Sequence, residues 1–235
     1  MDVANRISVT ALRTLTYTIL IKAVISAVTM ICTIAEIFVL HSSATDVTAI
    51  GIVYLTAQTV GFINIAGCVM CLGGIAALSA KFVSTRKIMV TVLLIQCLVL
   101  VFVAAGLSFV TVNNGAATTA ARIITFASDA LKSLLTGAAF LLCMKGFGEV
   151  LRNNGDAGSA EVCERLGRLY LFWSIAGIVL HTQILPKESG SLLIALAVLF
   201  LVEAILEFLI YLKVSDAAFR IWRKRAFDYQ IRGEN

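Results

Sequence analysis

The sequence predicts an all-α integral membrane protein of six transmembrane helices with both termini in the cytosol. Three observations carry that prediction. Of 235 residues, 60% are hydrophobic and 14% charged, with a mean hydropathy of +0.95; a soluble domain carries about a quarter charged residues. Six mainly apolar stretches, residues 15–41, 49–79, 88–112, 117–145, 169–186 and 191–212, approach or exceed the roughly 20 residues that a crossing needs. The basic residues, finally, are confined to alternate connections.

Fifteen of the 19 Lys and Arg residues fall in four segments: Arg6 and Arg13; Lys81, Arg86 and Lys87; Lys145, Arg152, Arg165 and Arg168; and Lys213, Arg220, Arg223, Lys224, Arg225 and Arg232. The intervening loops HSSATD, VNNGA and PKESG hold one between them, Lys187. This is the positive-inside pattern. It accounts for the net charge of +5 through contact with anionic headgroups on the cytosolic side, so no nucleic-acid partner is expected. Residues 1–214 form one transmembrane domain and 215–235 a cytosolic tail. The first 13 residues are polar and no small-residue cleavage site follows the first apolar run, so helix 1 is expected to act as its own insertion signal. Short loops, the lack of an N-x-S/T sequon, and the segment GEVLRNNGDAGSAEVCERLGRLYLFWSIAGIVL, similar in style to small bacterial multi-helix membrane proteins, place it in a bacterial plasma membrane.

Helix 1 carries Thr18, Lys22, Thr29, Thr33 and Glu36 at spacings of 4, 7, 4 and 3, a single helical face. Helix 2 has Gly67-xxx-Cys71 and Gly73-xxx-Ala77. Small residues at that spacing let backbones approach in lipid, so helix 2 is expected to be central or to pair copies of the chain in a homo-oligomer. Helix 3 is almost purely apolar, with Gln96 its one large polar side chain, and is expected to face lipid. Helix 4 bears Thr118, Arg122, Thr125, Asp129, Lys132 and Thr136 at spacings of 4, 3, 4, 3 and 4, again one face.

Residues 145–168 read as a cytosolic loop centred on NNGDAGS, with Ser159 capping a short helix that enters helix 5. Pro186 ends helix 5. Helix 6 adds Glu203 and Glu207, one turn apart. The tail is expected to form a short basic amphipathic helix in the headgroup plane, with Phe219 and Trp222 on its apolar face and Arg223, Lys224 and Arg225 on the others. A docking site for a protein partner is the alternative use of the tail.

A charge at mid-bilayer costs about 2.5–3.5 kcal/mol on insertion scales, so each needs a partner or water. Matching depths joins Lys22 to Glu207, Lys132 to Glu203 and Arg122 to Glu36, across a triangle of helices 1, 4 and 6. Asp129 is left near the midplane beside Lys132. The expected function is movement of a proton, ion or small solute along this seam, with Asp129 as the titrating or cation-binding group and Lys132 and Glu203 tuning it. The alternative is a non-catalytic membrane subunit or scaffold in which the same charges set helix register.

No phosphate-binding loop, HExxH or nucleophile elbow is present, and no enzyme activity is expected. Cys68-Val-Met-Cys71 lies inside a hydrophobic helix, away from the βαβ context of redox pairs. His41 and His181 lack the supporting residues of ligating histidines. No metal or other cofactor is expected.

Overall fold

A computed structural model describes residues 9–42, 47–79, 86–112, 119–184 and 190–233. Among these residues the chain is all-helical, with six helices: α1 (Val9–Ser42), α2 (Val47–Ser79), α3 (Arg86–Val112), α4 (Thr119–Asn153), α5 (Ala157–Ile184) and α6 (Gly190–Gly233). Segments Leu12–Cys32 of α1, Lys87–Ala105 of α3 and Ala130–Asn153 of α4 are long and apolar enough to cross a membrane. They mark a membrane protein.

The helices form a closed ring in chain order. Each packs on its neighbour in sequence, most heavily α4 on α5, and α6 returns to close on α1. The contacts run antiparallel: Gly67 and Gly74 of α2 oppose Ile25 and Leu15 of α1, and Tyr170 and Asp156 of α5 oppose Glu207 and Arg220 of α6. The buried core runs from Leu12, Leu15 and Ile19 through Cys71, Ile75, Met89, Phe140, Phe147 and Cys163 to Ile210 and Val214. It thus lies toward the end of the ring where α1 starts, α4 meets α5 and α6 carries its basic residues.

The outward face is apolar. Tyr17, Ile21, Val24, Val28 and Ile31 of α1 are exposed at alternating spacings of 4 and 3, as are Ile194, Val198, Leu201, Ile205, Phe208 and Leu212 of α6. Water does not tolerate continuous stripes of this kind on several helices, whereas lipid tails solvate them. α3 is only half lipid-like in this respect: Leu94 and Leu98 point out, while Met89, Leu93, Val99 and Gln96 are buried.

The expected loop at 145–168 is mostly helix. α4 continues to Asn153 and α5 begins at Ala157, leaving a three-residue corner. Gly155 adopts φ 83°, a left-handed conformation that glycine takes without penalty. Gly155 N donates to Arg152 O and Asp156 N to Leu151 O, both at 3.0 Å, the Schellman termination of α4. The cap of α5 is Asp156, not Ser159: Asp156 Oδ1 accepts from Ser159 N at 3.1 Å, the N-cap to N3 bond.

Asp156 also meets Arg220 of α6, and Arg220 reaches Asp216 at 2.9 Å. The Ser159 backbone N–H and hydroxyl, with Arg220 beside them, hold the Asp156 carboxyl below its usual range. A carboxyl depressed on folding contributes stability that is present above its unfolded value, about 3.9, and lost as pH falls through the folded one. The thermal stability of wild type over Asp156→Ala should therefore shrink between about pH 6 and about pH 3. Asp156→Asn, which keeps a capping oxygen, should fall between them at neutral pH and show little of that pH dependence. Melting curves of the three proteins across pH check this.

The tail is not a separate short helix. α6 is continuous for 44 residues, from Gly190 to Gly233, about 66 Å at 1.5 Å per residue. Val214 and Ala217 are buried in the same core cluster as Val150, Leu151 and Ala160. The change of composition at 214–215 falls inside this one helix.

Candidate functional site

Halfway along the ring, on the core side, three helices bring polar groups together. Lys22 and Ser26 sit one turn apart on α1, Glu203 and Glu207 one turn apart on α6, and Tyr170 on α5 points between them. Lys22 Nζ forms an ion pair with Glu207 Oε1 and lies 3.6 Å from Glu203 Oε1. Ser26 Oγ donates to Glu207 Oε2 at 2.7 Å. Tyr170 OH lies 2.7 Å from Glu207 Oε1 and 3.2 Å from Glu203 Oε1.

Burial separates the two carboxylates. The Glu207 side chain is 0% exposed and Lys22 3%, whereas Glu203 is 28% exposed. Glu207 receives three donors from two other helices, which is what a carboxylate away from water requires. Glu203 lies at the edge of the same cluster.

Neighbouring packing fixes these positions. The Tyr170 ring lies against Phe140 of α4, centroids 4.6 Å apart. Trp173 Nε1 donates to Leu199 O at 3.1 Å, the carbonyl four residues before Glu203 and hence its helical partner. This bond ties α5 to the turn that presents Glu203. Cys68 and Cys71 of α2 are buried and lie within electrostatic reach of Lys22.

The structure thus brings together Lys22 and Glu207, the pair joined by matched depth. It seats Glu203, which depth had assigned to Lys132, beside Lys22 and Tyr170. Helix 5 supplies the third side of this cluster, where the triangle of helices 1, 4 and 6 had placed helix 4; α4 touches α6 only slightly and packs on α5 and α3. The polar stripe of α4 meets α3 instead. Gln96 Nε2 donates to Thr136 Oγ1 at 2.7 Å and to Lys132 O at 3.2 Å, so Gln96 ties helix 3 to helix 4. The side chains of Glu36, Arg122, Asp129, Lys224 and Arg225, like those of His41 and His181, lie outside the described residues. Phe219, Trp222 and Arg223 are exposed on α6.

Two residues of the cluster were passed over in sequence. Ser26 fills the seven-residue gap of the helix 1 stripe, four positions after Lys22, so its signal was present. Tyr170 carries a weaker one, a tyrosine two positions past Arg168 near the basic end of helix 5, where aromatic residues commonly serve as interfacial anchors.

The chemistry follows from the count of charges. One ammonium faces two carboxylates, so the fully ionised cluster carries one excess negative charge. A single proton or monovalent cation neutralises it. Among the described residues no group of His, Cys, Asp and Glu is arranged to hold a metal ion. No family model, curated protein or solved structure matches the chain.

Proposed function

We propose that this chain crosses the membrane six times, with both termini in the cytosol of a bacterial cell, and moves a proton or small monovalent cation through the Lys22–Glu203–Glu207 cluster. The observation that carries the proposal is the excess carboxylate: Glu203, 28% exposed, shares its ammonium with Glu207, which is fully buried. A purely structural ion pair has no need of the second carboxylate, and ionisable groups inside a membrane are retained for function more often than for packing.

The six-fold threading draws support from the closed antiparallel ring, its apolar outer stripes and the gathering of basic segments at one end. Phe219 and Trp222 continue the exposed stripe of α6 beyond Leu212. From Ile194 to Trp222 the helix rises about 42 Å, close to the 40–45 Å of a bilayer with its headgroups. On this geometry Trp222 stands at headgroup level, and Arg223 meets anionic lipid there.

Flux assays in proteoliposomes test the transport proposal. Wild type should move protons or a monovalent cation down an imposed gradient, and Glu203→Gln should lower that flux at least tenfold at unchanged melting temperature. Equal flux in the two proteins refutes it.

A second reading, a membrane subunit that holds a protein partner, is favoured by one feature: the α4–α5 corner and the exposed Phe219, Trp222 and Arg223 of α6 stand together at the basic end. Stoichiometric co-purification that Trp222→Ala abolishes supports it. Self-association through helix 2 would use the open side of Gly73, since Gly67 and Gly74 face α1.

A further inference from the structure

The Tyr170 hydroxyl has one proton and two carboxylate oxygens within hydrogen-bond reach, at 2.7 Å on Glu207 and 3.2 Å on Glu203. A phenol donates to only one acceptor at a time. The shorter contact is the donating one, so Tyr170 donates to Glu207. A proton taken up by Glu203 would turn the longer contact into a bond that the phenol oxygen accepts. Lys22 sits against Glu207 and 3.6 Å from Glu203, close enough to balance the charge of either carboxylate. One ammonium, one carboxylate and one carboxylic acid leave the cluster neutral.

We propose that Tyr170 relays a proton between Glu203, at the accessible edge of the cluster, and Glu207, in its interior. This rests on the transport reading above and adds the route. In the step, the Glu203 acid gives its proton to the Tyr170 oxygen as Tyr170 gives its own proton to Glu207. One O–H bond breaks and one forms at each end, the phenol is regenerated, and the net movement is a single proton from Glu203 to Glu207. The hydrogen bonds then reverse, with Glu207 donating to Tyr170 and Tyr170 to Glu203. Lys22, lying between the two carboxyls, balances whichever is charged, so neither state leaves an uncompensated charge in low dielectric.

The surroundings suit a relay. Charged and titratable groups face the phenol from three helices: Lys22 of α1, Glu203 and Glu207 of α6, and Cys68 of α2. From α4, the Phe140 ring lies against that of Tyr170. The side-chain hydroxyl moves little, and the proton moves instead. Ser26 makes a comparable bond to Glu207, at 2.7 Å, but touches only the one carboxyl and connects nothing.

Carbon-13 NMR of the glutamate carboxyls, with the full chain in lipid, tests the relay without relying on transport. Glu203→Gln and the Lys22→Met, Glu207→Gln double variant assign the two signals. In wild type, proton exchange through the phenol averages the two carboxyl shifts. In Tyr170→Phe, which keeps the ring and its contact with Phe140, the separation between the signals should widen by at least half, one moving toward the acid and the other toward the carboxylate position. Ser26→Ala should leave the separation as in wild type. If Tyr170→Phe leaves it unchanged, or if Ser26→Ala widens it equally, there is no relay through Tyr170. A widened separation in a protein without flux keeps the relay and removes transport; flux that persists in a Tyr170→Phe protein with unchanged signals does the reverse.

Discussion

Lys22→Met alone should all but eliminate folded protein from the membrane, and Glu207→Gln in the same chain should restore it. The Lys22 and Glu207 side chains are 3% and 0% exposed. Removing one partner of a buried pair leaves the other charge without compensation, at a cost of about 3–5 kcal/mol, which is comparable with the whole stability of many proteins. Removing both charges deletes the desolvation cost along with the attraction, and such replacements are commonly neutral or stabilising. The glutamine keeps an oxygen for Tyr170 and a polar group for Ser26, so their hydrogen bonds need not be orphaned. The yield of monodisperse protein in detergent and its melting temperature measure the effect. A single variant as abundant and as stable as wild type would show that the ion pair is not what joins α1 to α6.

Two adjacent glycines should behave oppositely. A Cβ on Gly74 would meet the Leu15 backbone Cα at 3.1 Å and crowd Thr18 Oγ1, whereas one on Gly73 meets nothing within 4 Å. Backbone cannot rotate away as a side-chain tip does. Gly74→Val must therefore push α1 from α2, an overpacking of about 1–3 kcal/mol or more, and it does so one turn from Lys22, where a small displacement also loosens the ion pair. Gly73→Val adds a methyl-bearing side chain to an open face and should lower the melting temperature little, if at all. Parallel melting curves of the two variants decide the matter. Equal loss in both would mean that the Gly73 side of α2 is also covered, as it would be in a homo-oligomer.

Much of this architecture is legible from the chain. Hydropathy locates the helices, because a chain in lipid satisfies its backbone groups within each segment, and three of them are long and apolar enough to cross a membrane. Depth counting finds Lys22 and Glu207, since antiparallel helices of one ring place equal depths side by side. It misassigns Glu203 because depth is blind to which helices are neighbours. The ring order puts α5 between α4 and α6, and no periodicity within a single helix carries that information. Tyr170 is missed for a related reason: its ring reads as a membrane-interface aromatic, and only the assembled ring of helices reveals two carboxyls at its hydroxyl.

The misreadings at the basic end share a cause. Composition changes sharply at Lys213, from apolar to charged, and resembles a domain boundary. Composition follows the solvent, however, while the backbone follows its breakers. Between Gly190 and Gly233 there is neither glycine nor proline, so nothing interrupts α6. In NNGDAGS the breaker is real, but Gly155 alone takes the left-handed turn, and the flanking residues are free to extend both helices.

We propose that the Lys22–Glu203–Glu207 cluster carries protons or cations as well as joining helices. The Lys22→Met, Glu207→Gln double variant separates the two roles, because it keeps the helix contact, removes the buried charge pair and leaves only Glu203 at the edge of the cluster. Flux into proteoliposomes should be compared between this variant and wild type at equal reconstitution. Wild type should show flux, and a double variant that melts at a similar temperature should lose it at least tenfold. Undiminished flux in the double variant, or no flux from wild type across pH and the common monovalent cations, would contradict it and leave the cluster as a device for assembly.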